Sequence, residues 1–424
     1  MSPITLEDAQ HLDQHDPLAH FRQRFYLLPD KLYFDGNSLG LLSKEAENSL
    51  LRVLEEWKTL GINGWMDGNP PWFHQAEKLA SRQAGLVGAL PQEVIVHGST
   101  TINQHLLMAT FYHPTSHRYE ILVDELNFPS DHYAVQSFLK LKGMDPERHL
   151  RIVKSRDGRT LEESDIIEAM SDRTALVLLP SVLYRSGQLL DMAFLTASAH
   201  EQGSFIGFDM SHSAGAVPHH LHDHGVDFAF WCNYKYFNNG PGGSASLFVH
   251  EHHHGTGPGL AGWFGCNKER QFDMDLTFHP ASDAGAWQLG TPHQLSMAPL
   301  EGSLAIVEEA GIENLRRKSL AMTDFMMRLI DEMLADDEFS IGTPRDAGRR
   351  GGHVALEHEE AFRINEALKD RGIIPDFRKP NIIRLAPTAL YNSYEDIWHL
   401  VAALQDIMKN RVYEQYDNHR GEVT

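Results

Sequence analysis

An acid and a lysine, each at or just past the end of an apolar run, are the side chains best suited to chemistry in this sequence. SFIGFD closes on Asp209, and DFAFWC runs into NYKYFNNGPGG, which sets Lys235 shortly beyond a strand. In open α/β sheets ligands bind outside the carboxyl ends of strands, so the two can face one crevice. Pyridoxal phosphate chemistry needs such a pair: a lysine to form the Schiff base and a carboxylate to keep the pyridine nitrogen protonated. An arbitrary aspartate and lysine would more simply be a helix cap and a solvated loop residue. Here Tyr234 and Tyr236 flank Lys235 and glycines follow it, surroundings that a lysine meant only for solvent does not need.

A cofactor phosphate would need backbone N–H donors and hydroxyls at a helix start. GSTTINQHLLMAT supplies Gly98, Ser99, Thr100 and Thr101 ahead of an apolar-periodic run, although a plain Ser/Thr N-cap reads the same way. Phe128 in NFPSD, with Asp131 three residues on, could stack on a planar ring or be an ordinary core aromatic.

These residues need a scaffold, and the middle of the chain offers one. Short apolar runs alternate with amphipathic stretches, the pattern of a βαβ sheet with covering helices. The expected strands are EILVDE (120–125), TALVLLP (174–180), SFIGFD (204–209), DFAFWC (227–232) and SASLFVH (244–250). Residues 131–142, 162–171 and 192–202 read as helices. From about residue 300 the texture changes to one or two helices interrupted near Gly311, a Gly/Arg-rich turn, then strand HVALEH, a helix, strand NIIRLAP and a final helix. The expected fold class is α/β. An N-terminal segment (1–30) without an assigned role precedes a large domain (31–300), with a small α+β domain (301–424) after it.

Length and composition agree with a folded enzyme-sized chain. It has 424 residues, 42% hydrophobic and 22% charged, too apolar for disorder and long enough to bury a core without staples. Two cysteines, Cys232 and Cys266, lie in unrelated contexts; that argues against a disulfide scaffold or structural zinc and fits a reducing compartment. The net charge of −21 repels nucleic acid and anionic membranes. The N-terminus lacks a basic region followed by an apolar one, and no apolar run reaches membrane-spanning length. The expectation is a cytoplasmic protein with neither a nucleic-acid nor a membrane partner.

Two other patterns invite different chemistry. GNSLG satisfies G-x-S-x-G, the nucleophile elbow of serine hydrolases, with Ser38 as nucleophile. An elbow so early would leave almost no sheet before it. Histidines bunch as HHLHDH (219–224) and HEHHH (250–254). Adjacent residues on one segment rarely converge on a metal, so His219, His220, His222 and His224 read as loop and helix-surface residues and no metal ligand is expected.

Taken together, YFDGNSLGL (33–41), NFPSD (127–131), GFDMSHSAG (207–215), HDHGVDFAFWCNYKYFNNGPGG (222–243), GWFG (262–265) and NIIRLAPTALYNSYED (381–396) resemble the blocks of the kynureninase family, in that family's order. The resemblance runs from about residue 30 to the C-terminal helix. It implies a fold-type-I pyridoxal 5'-phosphate enzyme, its large domain a mixed, mostly parallel sheet, and hydrolysis of the Cβ–Cγ bond of L-kynurenine to anthranilate and L-alanine. Carried over by residue, it makes Lys235 the Schiff-base lysine, Asp209 the partner of the ring nitrogen and Tyr234 a proton carrier near Cβ. It gives the phosphate to Thr100, Thr101 and Tyr234, the ring face to Phe128 with Asp131 and His212 beside it, and the substrate carboxylate to Arg384. Asn37, Ser38 and Trp65 fall at the substrate. Trp263 and Thr291 match positions that reach the cofactor from a neighbouring subunit, so the resemblance implies a homodimer with shared active sites.

The same resemblance bears on substrate choice. Family members that favour the 3-hydroxylated substrate carry a His and an Asn near its ring, where Trp65 and Thr291 stand here; the expectation is a preference for L-kynurenine, with 3-hydroxykynurenine also turned over. Pro180 stands where the family often has Ser or Thr, and Cys266 where His is common. Losing one neutral hydrogen bond should weaken cofactor binding by about 1 kcal/mol. The alternative function is another fold-type-I enzyme, acting on a different β-keto amino acid or as a desulfurase-like lyase, the latter requiring a mobile-loop cysteine.

Overall fold

The computed structural model describes residues 4–417. Its strands, in chain order, are β1 (Leu32–Tyr33), β2 (Val94–Val96), β3 (Glu120–Asp124), β4 (Leu150–Val153), β5 (Thr174–Pro180), β6 (Phe205–Asp209), β7 (Phe228–Trp231), β8 (Ser246–Val249), β9 (Ser340–Ile341), β10 (Val354–Glu357), β11 (Ile373–Ile374), β12 (Asp376–Arg378) and β13 (Ile382–Leu385). Seven form one large sheet in the order β2-β8-β7-β6-β5-β3-β4. Neighbours from β7 to β4 pair in parallel, while β8 runs antiparallel to both β7 and β2. The sheet is mixed and mostly parallel, as the fold class required.

All five expected strands form, and the helices at Pro129–Leu141, Glu163–Ala169 and Met192–Glu201 fall where the periodicity put them. The central strand β5 is buried at every position, because helices cover both faces of a parallel sheet and favour a continuous apolar run over alternation. The two strands of this sheet that the pattern did not reveal, β2 and β4, are its edges. The exposed side of β4 carries Arg151 within Leu150–Val153, and that dilutes the apolar signal.

The C-terminal part begins with two helices, Gln294–Ala310 and Ile312–Met333. They are separated at Gly311, whose φ of +76° is the left-handed conformation glycine adopts without strain. The first packs its apolar face, including Leu300, Leu304 and Val307, into the core of the large sheet. The second turns Met322, Met326 and Ile330 toward a separate core shared with β10, β13 and the helix Tyr394–Lys409. That core backs a four-stranded antiparallel sheet, β12-β13-β10-β9. The N-terminal segment belongs to both bodies. Its helix Leu6–Gln14, closed by a Thr5/Asp8 capping box, places Ala9 in the second core, and Phe21 and Phe25 enter the first. β1 then pairs in parallel with β11, which ties the entry of the large domain to the small one.

Leu178, at the middle of β5, has no exposed surface. Leu178→Ala should cost about 2–5 kcal/mol of stability, read as a lower denaturant midpoint at unchanged slope. A loss under about 1 kcal/mol would contradict a close-packed sheet centre.

Candidate functional site

Strand direction gathers the site. β3, β5, β6 and β7 run the same way, and β2 shares their direction because both it and β7 oppose β8. Their carboxyl ends therefore share one edge of the sheet, where β8 begins. Past β2 come Ser99, Thr100 and Thr101; past β3, Phe128, Ser130 and Asp131; at and past β6, Asp209, Ser211 and His212; past β7, Tyr234 and Lys235; ahead of β8, Gly242 and Gly243. All of these line one cavity of about 320 Å³, closed from the other side by Asn37, Ser38, Arg378 and Arg384.

Two carboxylates lie at the bottom of this cavity. Asp209 closes β6, and the Ser211 N–H holds one of its oxygens at 2.8 Å. Asp131 is buried, and its Oδ2 has no hydrogen-bond partner. Burial, together with the charge of Asp209 alongside, pushes the Asp131 carboxyl well above the usual carboxylate range. Two acids packed this closely cannot both ionise without a cation between them, so the cavity floor suits a protonated ring nitrogen.

Facing the acids, Lys235 Nζ lies 2.9 Å from His212 Nε2. Burial and the adjacent lysine charge hold His212 well below its ordinary range, so it stays neutral. The neighbouring Cys232 and burial raise the Tyr234 phenol, which keeps its proton as a hydrogen-bond donor. Phe128 stands 41% exposed at the cavity wall, edge-on to Tyr184 with ring centroids 5.2 Å apart. A largely exposed aromatic beside buried acids is better placed to cover a ligand than to fill a core.

One end of the cavity is a helix start. Gly98 turns the chain at φ +55°, and the helix Thr100–Phe111 begins with Ser99 at its N-cap and no side-chain capping bond. The hydroxyls of Ser99, Thr100 and Thr101 line the cavity while the first-turn N–H groups keep the partial positive charge of a helix N-terminus. An anion the size of phosphate fits that donor set.

The GNSLG segment serves packing rather than a nucleophile elbow. A Cβ on Gly36 would collide with the Tyr391 and Thr388 hydroxyls, and one on Gly40 with the Asn238 side chain and, at 2.5 Å, the Lys235 carbonyl. Gly36 thus lets this loop close against residues 388–391 and Gly40 against the lysine segment, where Gly40 N–H donates to the Tyr234 carbonyl at 2.8 Å. Ser38 Oγ accepts from Arg384 Nη2 at 3.0 Å and bonds to the Asp35 carboxylate, the environment of an anchored hydroxyl. Arg384 is fully buried; its guanidinium also donates to the Tyr184 carbonyl at 2.8 Å and pairs with Asp376. Asp376 takes a second arginine, Arg378 Nε at 2.9 Å, so one carboxylate orients two cations at the cavity mouth.

Three expected residues lie outside the cavity of their own chain. Trp65 sits in an apolar groove with Trp57, Ile62, Trp72 and Pro292, edge-on to Trp72. Trp263 is 42% exposed, and Thr291 is exposed as well. Pro180 pairs with Asp209 across β5 and β6 and does not line the cavity; the hydroxyl of the next residue, Ser181, reaches the Asp209 carbonyl at 3.2 Å instead. Cys232 is buried, and Cys266 lies in a separate depression beside Trp263, so neither presents a thiol to the cavity. His219, expected on a surface, is buried. Sequence reasoning missed Ser130, Ser211, Arg378 and Asp376. Ser211 sits two residues past Asp209, a signal within reach. Arg378 and Asp376 became visible only through the antiparallel register that sets Asp376 opposite Arg384.

With this geometry in hand, comparison with known proteins is informative. Residues 315–404 match the family model described as the kynureninase C-terminal domain. The chain is 59% identical over 416 residues to the kynureninase of Geobacillus thermodenitrificans, covering 98% of this chain and 97% of that one. It is 58% identical to that of Bacillus anthracis over the same spans, and 56% identical to that of Shouchella clausii over 100% and 99% of the two chains. Among solved structures, an apo cysteine desulfurase from Thermococcus onnurineus superposes with a TM-score of 0.77 at 19% identity, covering 92% of this chain and 98% of that one. A C-DES variant with glycine covalently linked to its PLP cofactor does so at 0.77 and 19%, over 91% and 99%. These two likenesses speak to fold alone.

The cavity also sets a pH dependence. His353, whose ring centroid lies 5.9 Å from that of His212, is pushed down to about 3 by burial. The unfolded chain protonates this histidine near pH 6.5 and the folded chain does not, so the unfolded state binds more protons and stability falls as pH drops below about 6.5, by up to about 1.4 kcal/mol per unit. Buried acids such as Asp124, pushed up to about 7 by burial, act in the opposite sense. His353→Gln isolates the histidine: between pH 7.5 and 5.5 the native protein should lose more stability in urea titrations than the variant. Equal losses would contradict a neutral buried His353.

Proposed function

The chain belongs to the kynureninase family, and from that membership we propose how its own side chains divide the reaction. The protein hydrolyses L-kynurenine to anthranilate and L-alanine with pyridoxal 5'-phosphate as cofactor, a hydrolase acting on a carbon–carbon bond in the kynurenine pathway. The observation carrying the assignment of roles is that Lys235, Asp209 and the hydroxyl-bearing helix start line one cavity, from three separate strand ends.

The cofactor supplies an electron sink for the bonding pair released at the substrate's Cα. Lys235 Nζ would hold the cofactor's aldehyde and move the substrate's Cα proton; neutral His212 at 2.9 Å accepts a hydrogen bond from that amine and keeps it aimed. Asp209 would hold the proton on the ring nitrogen, with its carboxylate fixed by the Ser211 N–H and Asp131, which has an orphaned oxygen, beside it. Thr100 and Thr101 would hold the phosphate together with Tyr234, and Phe128 would cover the ring. Arg384 binds the α-carboxylate, oriented by Asp376, while Asn37, whose buried amide has no partner, and Ser38 line the substrate side. Water is consumed at the γ-carbonyl as the Cβ–Cγ bond breaks, and Tyr234, which keeps its proton through the working pH range, delivers it to Cβ.

The shared homodimer is part of the same reading. Trp57, Ile62 and Met66 are more than half exposed, and so are Phe272, Met274 and Leu276 near Trp263, an apolar surface of the kind a subunit interface covers. We take Trp263 and Thr291 to reach the partner's cavity, with Trp65 beside the substrate ring. No helix of the described residues is long and apolar enough to cross a membrane. Both cysteines are unpaired, which supports a reducing, cytoplasmic setting. The division into residues 31–300 and 301–424 remains our reading of the domains; two separate apolar cores support two bodies, although Leu304 and Val307 of the helix Gln294–Ala310 still pack in the first.

Incubation with pyridoxal phosphate and L-kynurenine should release fluorescent anthranilate and alanine in equal amounts, with 3-hydroxykynurenine turned over at lower kcat/KM. Lys235→Ala should abolish turnover; appreciable remaining activity would remove the lysine from the chemistry. Trp263→Ala should raise KM or weaken cofactor binding although the residue lies outside its own chain's cavity. Unchanged kinetics in a protein that sediments as a dimer would deny the shared site.

A further inference from the structure

The two histidine-rich runs, far apart in sequence and unused by the reaction, meet at the end of the large sheet opposite the cavity. Glu93 immediately precedes β2, His250 immediately follows β8, and His222 lies in the loop before β7. Val94 pairs with Phe248 and Phe228 with Val249, so the start of β2, the start of β7 and the end of β8 lie side by side, at the amino ends of the parallel strands. There His222 Nδ1 is 2.9 Å from Glu93 Oε1, His250 Nδ1 is 3.7 Å from the same oxygen, and the three atoms all lie within 4.8 Å of one another. The two imidazoles stack with centroids 5.0 Å apart and planes 12° from parallel.

The surrounding hydrogen bonds aim these atoms. His250 Nε2 lies 3.2 Å from the His222 carbonyl. A carbonyl only accepts, so Nε2 carries the proton and Nδ1 is the acceptor; it takes the His252 N–H at 3.3 Å and lies on the Glu93 side of the ring. The Glu93 carboxylate is buried and fixed by the backbone N–H groups of Leu90 at 2.8 Å and Glu251 at 2.9 Å. A carboxylate oxygen and an acceptor imidazole nitrogen thus lie near each other, with the second imidazole beside them. Donors around a tetrahedral ion with bonds of about 2.0–2.1 Å sit about 3.3 Å apart, between the two distances from Glu93 Oε1. Outer-shell bonds of this kind, one to the far nitrogen of a histidine and others to the carboxylate, are what orient metal ligands.

We propose that Glu93, His222 and His250 form a binding site for a divalent transition ion of zinc type, with a water completing the tetrahedron on the half-exposed side of His222. Two imidazoles and one carboxylate disfavour calcium and magnesium, which take oxygen ligands. The site joins the chain ahead of β2, the loop before β7 and the end of β8, so bound metal stabilises the sheet edge and leaves the reaction untouched.

The test uses tag-free holoenzyme, stripped with a chelator and titrated with zinc chloride against a competing chromophoric chelator. The expected result is one tight zinc per chain and a Tm that rises with zinc. His222→Ala and His250→Ala should each weaken that binding by about tenfold or more and abolish the Tm response, while His252→Ala retains both. His222 is half-exposed, so His222→Ala should fold and keep full activity even if the more buried His250→Ala does not. Copper(II) at the same site should show nitrogen hyperfine coupling from two imidazoles, reduced to one in His222→Ala. Failure of the native protein to take up zinc, or uptake unaltered by His222→Ala, would overturn the site and leave a plain histidine–glutamate hydrogen bond.

Discussion

Asp131 and Asp209 are held together out of water, an arrangement that disfavours itself unless a proton or a cation sits between them. Much of the structure can be understood as the means of imposing it. Asp209 has no freedom to turn away, because it ends a buried strand and the Ser211 N–H grips one oxygen. Asp131 is fixed at the start of the helix Pro129–Leu141, beyond the next strand but one. A cationic ring placed between them would relieve that repulsion. The neutral His212 and the lysine it contacts lie on the far side of the same space, where a second buried charge would otherwise be unsupported.

The small domain contributes by reaching across. Arg384 is buried in β13, yet its guanidinium extends to Ser38 in the first loop of the large domain and to the Tyr184 carbonyl after β5. An arginine held at all three nitrogens has little rotamer freedom, so a carboxylate reaching its remaining N–H meets a cation already oriented. Asp376 provides that orientation for Arg378 too. Gly36 and Gly40 have the complementary task of letting the first loop lie close, Gly36 to Thr388 and Tyr391 and Gly40 to the lysine segment. The cavity is therefore a junction of the two bodies, and the pairing of β1 with β11 holds that junction in register.

What the chain determined without help from tertiary contacts is the large sheet and its strand-end chemistry. Asp209, Lys235 and the Ser/Thr helix start were legible because each lies within a few residues of an apolar run, and the polarity of a parallel sheet then dictates which edge they share. Edge strands β2 and β4 were not legible: β2 is buried but only three residues long, and β4 is solvated along one side, so neither has an apolar run long enough to betray it. Residues whose role depends on a partner distant in sequence were hidden for a related reason. Asp376 matters only because an antiparallel register sets it opposite Arg384. His222 and His250 converge with Glu93 only because β2, β8 and β7 are neighbours in the sheet. Within each histidine run the spacing argued against a metal, and it was the sheet that brought one run to the other. Local order in the sequence specifies elements and the residues at their ends; convergence of groups from different elements is a property of packing, which long-range burial decides and no short stretch of chain encodes.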